Sequence, residues 1–134
     1  MEARIVNKGQ LPELLDKLAK DYDLIAPVKE ETLTFFRKIS CAKDAFLEYT
    51  NSDISPKGCF LPQSEKTFSY TYTGDSLEIV KPEGAKKTVL FGARPCDTRA
   101  ITTLDPVFEG VKFGDEYYSS KRENTVIIGL SCTK

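Results

Sequence analysis

The chain has 134 residues, the size of one domain with a real core. Nineteen basic and twenty acidic residues leave a formal charge of −1 with no basic run or stripe, which argues against nucleic acid as a partner. Histidine is absent, which removes the commonest general base and the commonest nitrogen ligand for zinc, copper and non-haem iron.

From about residue 10 to 22, Leu11, Leu14, Leu15, Leu18 and Tyr22 recur at helical spacing, with Pro12 tolerated in the first turn. Two β-rich stretches, 24–28 and 32–37, predict a hairpin around residues 29–31. Residues 42–49 are expected to add a short helix. The turn signals Ser55-Pro56-Lys57-Gly58 and Leu61-Pro62 make 51–63 an ordered loop or short helix. Segments 67–73 and 76–81 read as strands joined at Thr73-Gly74-Asp75-Ser76, although Pro62 equally suits the start of a helix through Ser69.

Residues 87–92 predict a buried strand. Ala93-Arg94-Pro95-Cys96-Asp97 is a tight connection, and 97–104 reads as a helix presenting Ala100, Ile101 and Leu104. A polar stretch around 110–124 follows, then a strand at 125–130 of the kind buried on both faces. Strand, helix and strand in that order predict a right-handed βαβ unit with parallel strands. The expected fold is α/β or α+β: one domain with a mixed sheet and this unit at its C-terminal end.

No C-x-x-C pair joins any of Cys41, Cys59, Cys96 and Cys132, so spacing alone defines no complete zinc or cluster site. The start lacks a signal-peptide pattern and no apolar stretch approaches the length of a membrane span, giving a cytoplasmic expectation in which the cysteines are free thiols or metal ligands. Cys41 and Cys59 read as structural. Cys96 falls at a strand-to-helix turn, where free amides and the helix dipole favour a thiolate; it reads equally as a ligand or reactive thiol and as a buried thiol packing the turn. Arg94 and Arg99 add positive charge suited to an anion, a flavin phosphate or a cluster's sulfides. Asp97 is expected to cap the helix. Cys132 follows the last strand at the carboxyl edge of the sheet, where ligands gather in α/β folds. If the two strands share a sheet, both thiols emerge at one edge, about 10 Å apart even with one strand between them. No phosphate-cradling glycine loop is present.

Three segments occur in one order: 55–65 (SPKGCFLPQSE), 89–104 (VLFGARPCDTRAITTL), and Asp115-Glu116-Tyr117-Tyr118 leading into Arg122 to Cys132. That order resembles the 4Fe-4S dicluster subunits found in cytoplasmic NiFe hydrogenase/sulfur reductase, as its β subunit, and in anaerobic sulfite reductase. The resemblance runs from about Leu11 onward, and R-P-C-D-x-R-A-I is its most specific part. It implies that residues 1–134 are the single N-terminal domain of a longer iron–sulfur subunit. The partners it implies are a catalytic redox subunit together with a flavin/nicotinamide-binding subunit. The ferredoxin-like dicluster domain is absent here, since no C-x-x-C-x-x-C-x-x-x-C run occurs. The 4Fe-4S clusters are therefore expected in the full-length parent and none in this piece. Matched positions are Arg94, Cys96, Asp97, Arg99 and Cys132; Arg94, Asp97 and Arg99 are read as cofactor-binding, and a role for Cys96 and Cys132 as ligands of a [4Fe–4S] site completed downstream is an inference added to the resemblance. No catalytic residue and no activity are expected of the isolated chain. The alternative is a structural docking domain that positions the ferredoxin part. A thiol enzyme built on Cys96 is disfavoured by the lack of a histidine base.

Overall fold

The computed structural model describes residues 5–74, 76–82, 84–110 and 113–132. The leucine stripe forms helix α1 (Leu11–Asp21), with Leu15 buried and Leu11, Leu18 and Ala19 packed beside it. Strands β1 (Asp23–Glu30) and β2 (Leu33–Lys38) make the expected antiparallel hairpin. The ladder runs on to Glu30 opposite Leu33, so the turn is shorter than residues 29–31 suggested. In place of a helix over 42–49 there is a single 3₁₀ turn at Ala42–Asp44. Phe46 N–H then bonds the Pro27 carbonyl and Leu47 packs on the sheet, so this stretch is held as irregular backbone. Another 3₁₀ turn, Pro56–Cys59, lies within the predicted loop.

Strands β3 (Ser69–Thr73) and β4 (Ser76–Val80) form a separate two-stranded antiparallel sheet, which resolves the ambiguity at Pro62 in favour of strand. Asp75 of the expected turn lies outside the described residues. Next come β5 (Thr88–Ala93), helix α2 (Pro95–Phe108), helix α3 (Glu116–Glu123) and β6 (Thr125–Gly129). The main sheet has the order β2-β1-β5-β6, with β1, β5 and β6 parallel and β2 antiparallel.

Side-chain alternation along these strands feeds two cores. Leu24, Ala26, Val28, Val89 and Phe91 pack with Leu15 of α1 on one face. On the other, Leu90 and Ala93 pack with Phe60, Ile101 of α2 and Tyr118 of α3. The result is a sheet between two helical layers, as expected of an α/β domain.

Three expectations need correcting. The strand at 125–130 is not buried on both faces: β6 is the edge of the sheet and Val126 is exposed. The second helix begins at Pro95 and continues past Leu104 to Phe108; Ile101 is buried, Leu104 is half-buried and Ala100 is exposed. The polar stretch also contains a whole helix, α3. Its start is fixed by Asp115, whose Oδ1 accepts the amides of Tyr117 and Tyr118 at 2.8 and 3.0 Å.

Candidate site at the carboxyl edge of the sheet

Strand β5 ends in a bulge. Phe91 lies opposite Ile128 and Ala93 opposite Gly129, so Gly92 is an extra residue, with φ at +87°. A Cβ there would sit 3.1 Å from Pro27 Cδ, so the close approach and the left-handed backbone both require glycine. The Tyr49 hydroxyl donates to the Gly92 carbonyl at 2.6 Å, pinning the bulge to the irregular 45–50 stretch. Burial is the main reason the phenol's pKa lies above its ordinary value.

Beyond the bulge stands Arg94, the N-cap residue of α2, with only 7% of its surface exposed. Its guanidinium carbon lies 4.5 Å from the Tyr49 ring centre, a cation–π stack. Its Nη1 donates to the Ser131 carbonyl at 2.9 Å. Its Nε is buried with no partner among the described residues. Asp97 is therefore not the N-cap. It occupies the third helical position and its Oδ2 accepts the Arg94 amide at 3.3 Å. Pro95 sets this register, because its fixed φ and missing N–H suit the first helical position. The carboxylate still serves the helix start, but from inside it.

Cys96 is the second residue of α2 and is exposed. Cys132, also exposed, follows β6 by three residues. Since β5 and β6 are adjacent and parallel, the two thiols follow the same carboxyl edge on neighbouring strands. Two hydrogen bonds join the segments that carry them: Leu130 N–H to the Ala93 carbonyl at 2.9 Å, and Arg94 to Ser131. Arg99 is exposed and, with Thr98 and Thr102, faces Leu130 and Ser131 across an open cleft of about 480 Å³.

The other two cysteines lie elsewhere. Cys41, half-exposed, has its thiol 3.3 Å from Asp44 Oδ2. Cys59 borders the α2-side core, and burial pushes its thiol up to about 11. All four cysteines are free thiols.

Thiolates are the protein donors that hold iron–sulfur clusters, so the chemistry of Cys96 and Cys132 fits such a group. The number falls short: among the described residues no three Cys, Asp or Glu side chains converge on a common point. Of the residues singled out in sequence, Arg94, Cys96 and Asp97 gather at the start of α2, Arg99 lies one turn on, and Cys132 stands across the strand pairing. Tyr49 and Ser131 were not anticipated. Tyr49 lies in an irregular stretch without periodicity, and Ser131 acts through its main-chain carbonyl, which no residue type reveals.

An α/β domain that presents thiols at the carboxyl edge of parallel strands is an architecture suited to holding part of a redox centre. The chain is similar to the sulfhydrogenase 2 β subunit of Pyrococcus furiosus, 29% identical over 121 residues. That match covers 90% of this chain and 35% of the relative, so the chain spans about a third of the length of the curated relative it matches. The resemblance to hydrogenase β subunits stated from the sequence thus has a counterpart among curated proteins. No family model matches the chain, and no solved structure does. No helix among the described residues is long and apolar enough to cross a membrane.

Proposed function

We propose that this chain is the first domain of a cytoplasmic electron-transfer subunit in a hydrogenase-type complex. In this reading Cys96 and Cys132 supply two thiolates of a [4Fe–4S] site whose other ligands lie outside these 134 residues. The observation that carries it is the direct parallel pairing of β5 with β6, which sends two exposed cysteines to one sheet edge. The similarity to a hydrogenase β subunit supports it.

When bound, a cluster of this kind takes up and releases single electrons. The chain's own residues hold and polarise its surroundings. The first-turn amides of α2 and the Arg99 guanidinium offer positive potential to a negatively charged group. Asp97 fixes the turn that carries Cys96, and Arg94 fixes the segment that carries Cys132. The complex would place a flavin/nicotinamide-binding subunit on one side of the electron path and a catalytic redox subunit on the other.

The test uses the full-length protein. Cys96→Ala and Cys132→Ala should each lower iron and acid-labile sulfide and remove one low-temperature EPR signal. Unchanged iron and an unchanged spectrum in both variants would overturn ligation.

The second reading, a docking domain that binds no cofactor, has its own observation in its favour. One face of the β3–β4 sheet carries Tyr70, Tyr72, Leu77 and Ile79, all at least half exposed. Apolar faces of this kind commonly mark contact surfaces. Under this reading Tyr72→Asp with Leu77→Asp should lose co-purifying subunits while the iron content of the full-length protein stays intact.

A further inference from the structure

We infer that Arg94 is a positioning residue: a buried strut that sets the separation of Cys96 and Cys132. The inference deepens the proposed function, but the geometry behind it stands without any cluster. Arg94 is two residues from Cys96 along the chain, and its side chain bonds the carbonyl of Ser131, the residue before Cys132. The β5–β6 ladder ends at Gly129 and is followed by one backbone bond, Leu130 N–H to Ala93. The Arg94–Ser131 bond is the next link, and it acts on the residue adjoining the second thiol.

The strut is itself braced. The Tyr49 ring lies under the guanidinium, its centre 4.5 Å from the guanidinium carbon, and its hydroxyl is tied to Gly92. Asp97 accepts the Arg94 main-chain amide, fixing the backbone from which the side chain departs. Three segments distant in sequence, 45–50, 92–97 and 129–132, are thereby joined through one side chain.

Its energetics are those of a geometric device. A guanidinium withdrawn from water, with Nε unpartnered among the described residues and a neutral carbonyl as acceptor, is poorly compensated as a source of stability. An apolar side chain of similar volume would fill the space at lower desolvation cost. What it would not do is fix the direction of the 130–132 backbone, which a planar donor can.

The experiment reads the spacing of the two thiols. In a Cys41→Ala, Cys59→Ala background, o-phenylenedimaleimide can bridge Cys96 and Cys132 only within a narrow range of separations. The strut predicts a high yield of the intramolecular bridge. In Arg94→Met, which keeps the stem and loses the donors, the yield should fall at least threefold, with singly modified protein rising in its place. The rate of first modification at Cys96 should be unchanged. Arg94→Lys should not restore the yield, since charge without a planar fork cannot both stack and bond. A yield in folded Arg94→Met equal to that of the parent would overturn the inference. Should these variants fail to fold, the parent chain decides the matter by NMR. A held guanidinium shows separate, slowly exchanging Nη signals for Arg94, and an averaged signal would rule the strut out. Loss of bridging in Arg94→Met with no iron loss in Cys132→Ala would sustain the strut and reject ligation; the reverse pattern would do the opposite.

Discussion

The chain makes two antiparallel hairpins of similar length, and they sit in opposite surroundings. The β1–β2 hairpin joins β5 in a sheet covered on both faces, and Leu24, Ala26 and Thr34 are buried. The β3–β4 hairpin alternates just as regularly, pairing Tyr70 with Ile79 and Tyr72 with Leu77, yet these side chains are 50–71% exposed. Alternation tells which residues share a face, but it does not say whether a layer will cover that face. The second hairpin is held at its base, where the Tyr117 hydroxyl of α3 donates to the Thr67 carbonyl and Lys121 pairs with Glu65 at 2.5 Å.

The contrast can be broken most directly in the middle of the large sheet. Leu90 is fully buried between β1, β6 and α2, so Leu90→Ala should destabilise by about 2–5 kcal/mol in urea unfolding. A loss below about 1 kcal/mol would mean that the second core is looser than its burial implies.

Next in size is an alkaline effect at the rim of the same core. Burial raises the Cys59 thiol from 9.0 to about 11. The unfolded chain therefore loses this proton first as pH rises, and stability falls between about pH 9 and 11, while below pH 9 this group contributes no slope. The total is about 2–3 kcal/mol, and Cys59→Ala should flatten the slope. The same shift predicts that iodoacetamide at pH 8 modifies exposed Cys96 and Cys132 at least tenfold faster than Cys59. Equal rates, read by peptide mass mapping, would show that the Pro56–Cys59 turn opens readily.

Tyr118→Phe probes the joint between α3 and α2, where the phenol donates to Asp105 Oδ1 at 2.7 Å and Arg122 bonds the same carboxylate. Its removal should cost about 1 kcal/mol, since Arg122 still satisfies Asp105. The smallest effect belongs to the uncovered hairpin: Tyr72→Ser should change stability by no more than about 0.5 kcal/mol. A loss above about 2 kcal/mol for Tyr72→Ser would show that its face is covered in solution.

Much of this arrangement is legible in the sequence because periodicity reports local shape well. The stripe of α1, the first hairpin and the parallel sense of β5 and β6 follow from spacing and turn residues, whereas their direct adjacency and the choice of strand over helix before Thr73 do not. Helix α3 escapes such reading because its sequence, EYYSSKRE, is polar nearly all round and buries only Tyr118. The signal for it is Asp115 followed by Glu116, an N-cap with first-turn acid. Val126-Ile127-Ile128 suggests full burial by its apolar content, but edge position is a property of the whole sheet. Asp97 is misplaced by two rules that compete three residues apart, acid at the cap and proline at the first turn, and proline prevails. At the site, the exposed cysteines and Arg99 are visible as residue types, but the Tyr49–Arg94–Ser131 link depends on contacts far apart in sequence.

The bulge at Gly92 can also be described by counting. Val89 and Phe91 point to the α1 layer and Leu90 to the α2 layer, so odd numbers go one way and even numbers the other. Ala93 breaks that arithmetic by joining Leu90, because Gly92 takes up a position without advancing the alternation. Every residue after it inherits the changed parity, Arg94 first. Drawing Gly92 into the ladder, so that it and not Ala93 lay opposite Gly129, would restore simple odd–even order and send Ala93 and Arg94 each to the opposite layer. Both strands would survive that change of register, while the guanidinium would be turned away from Tyr49 and Ser131.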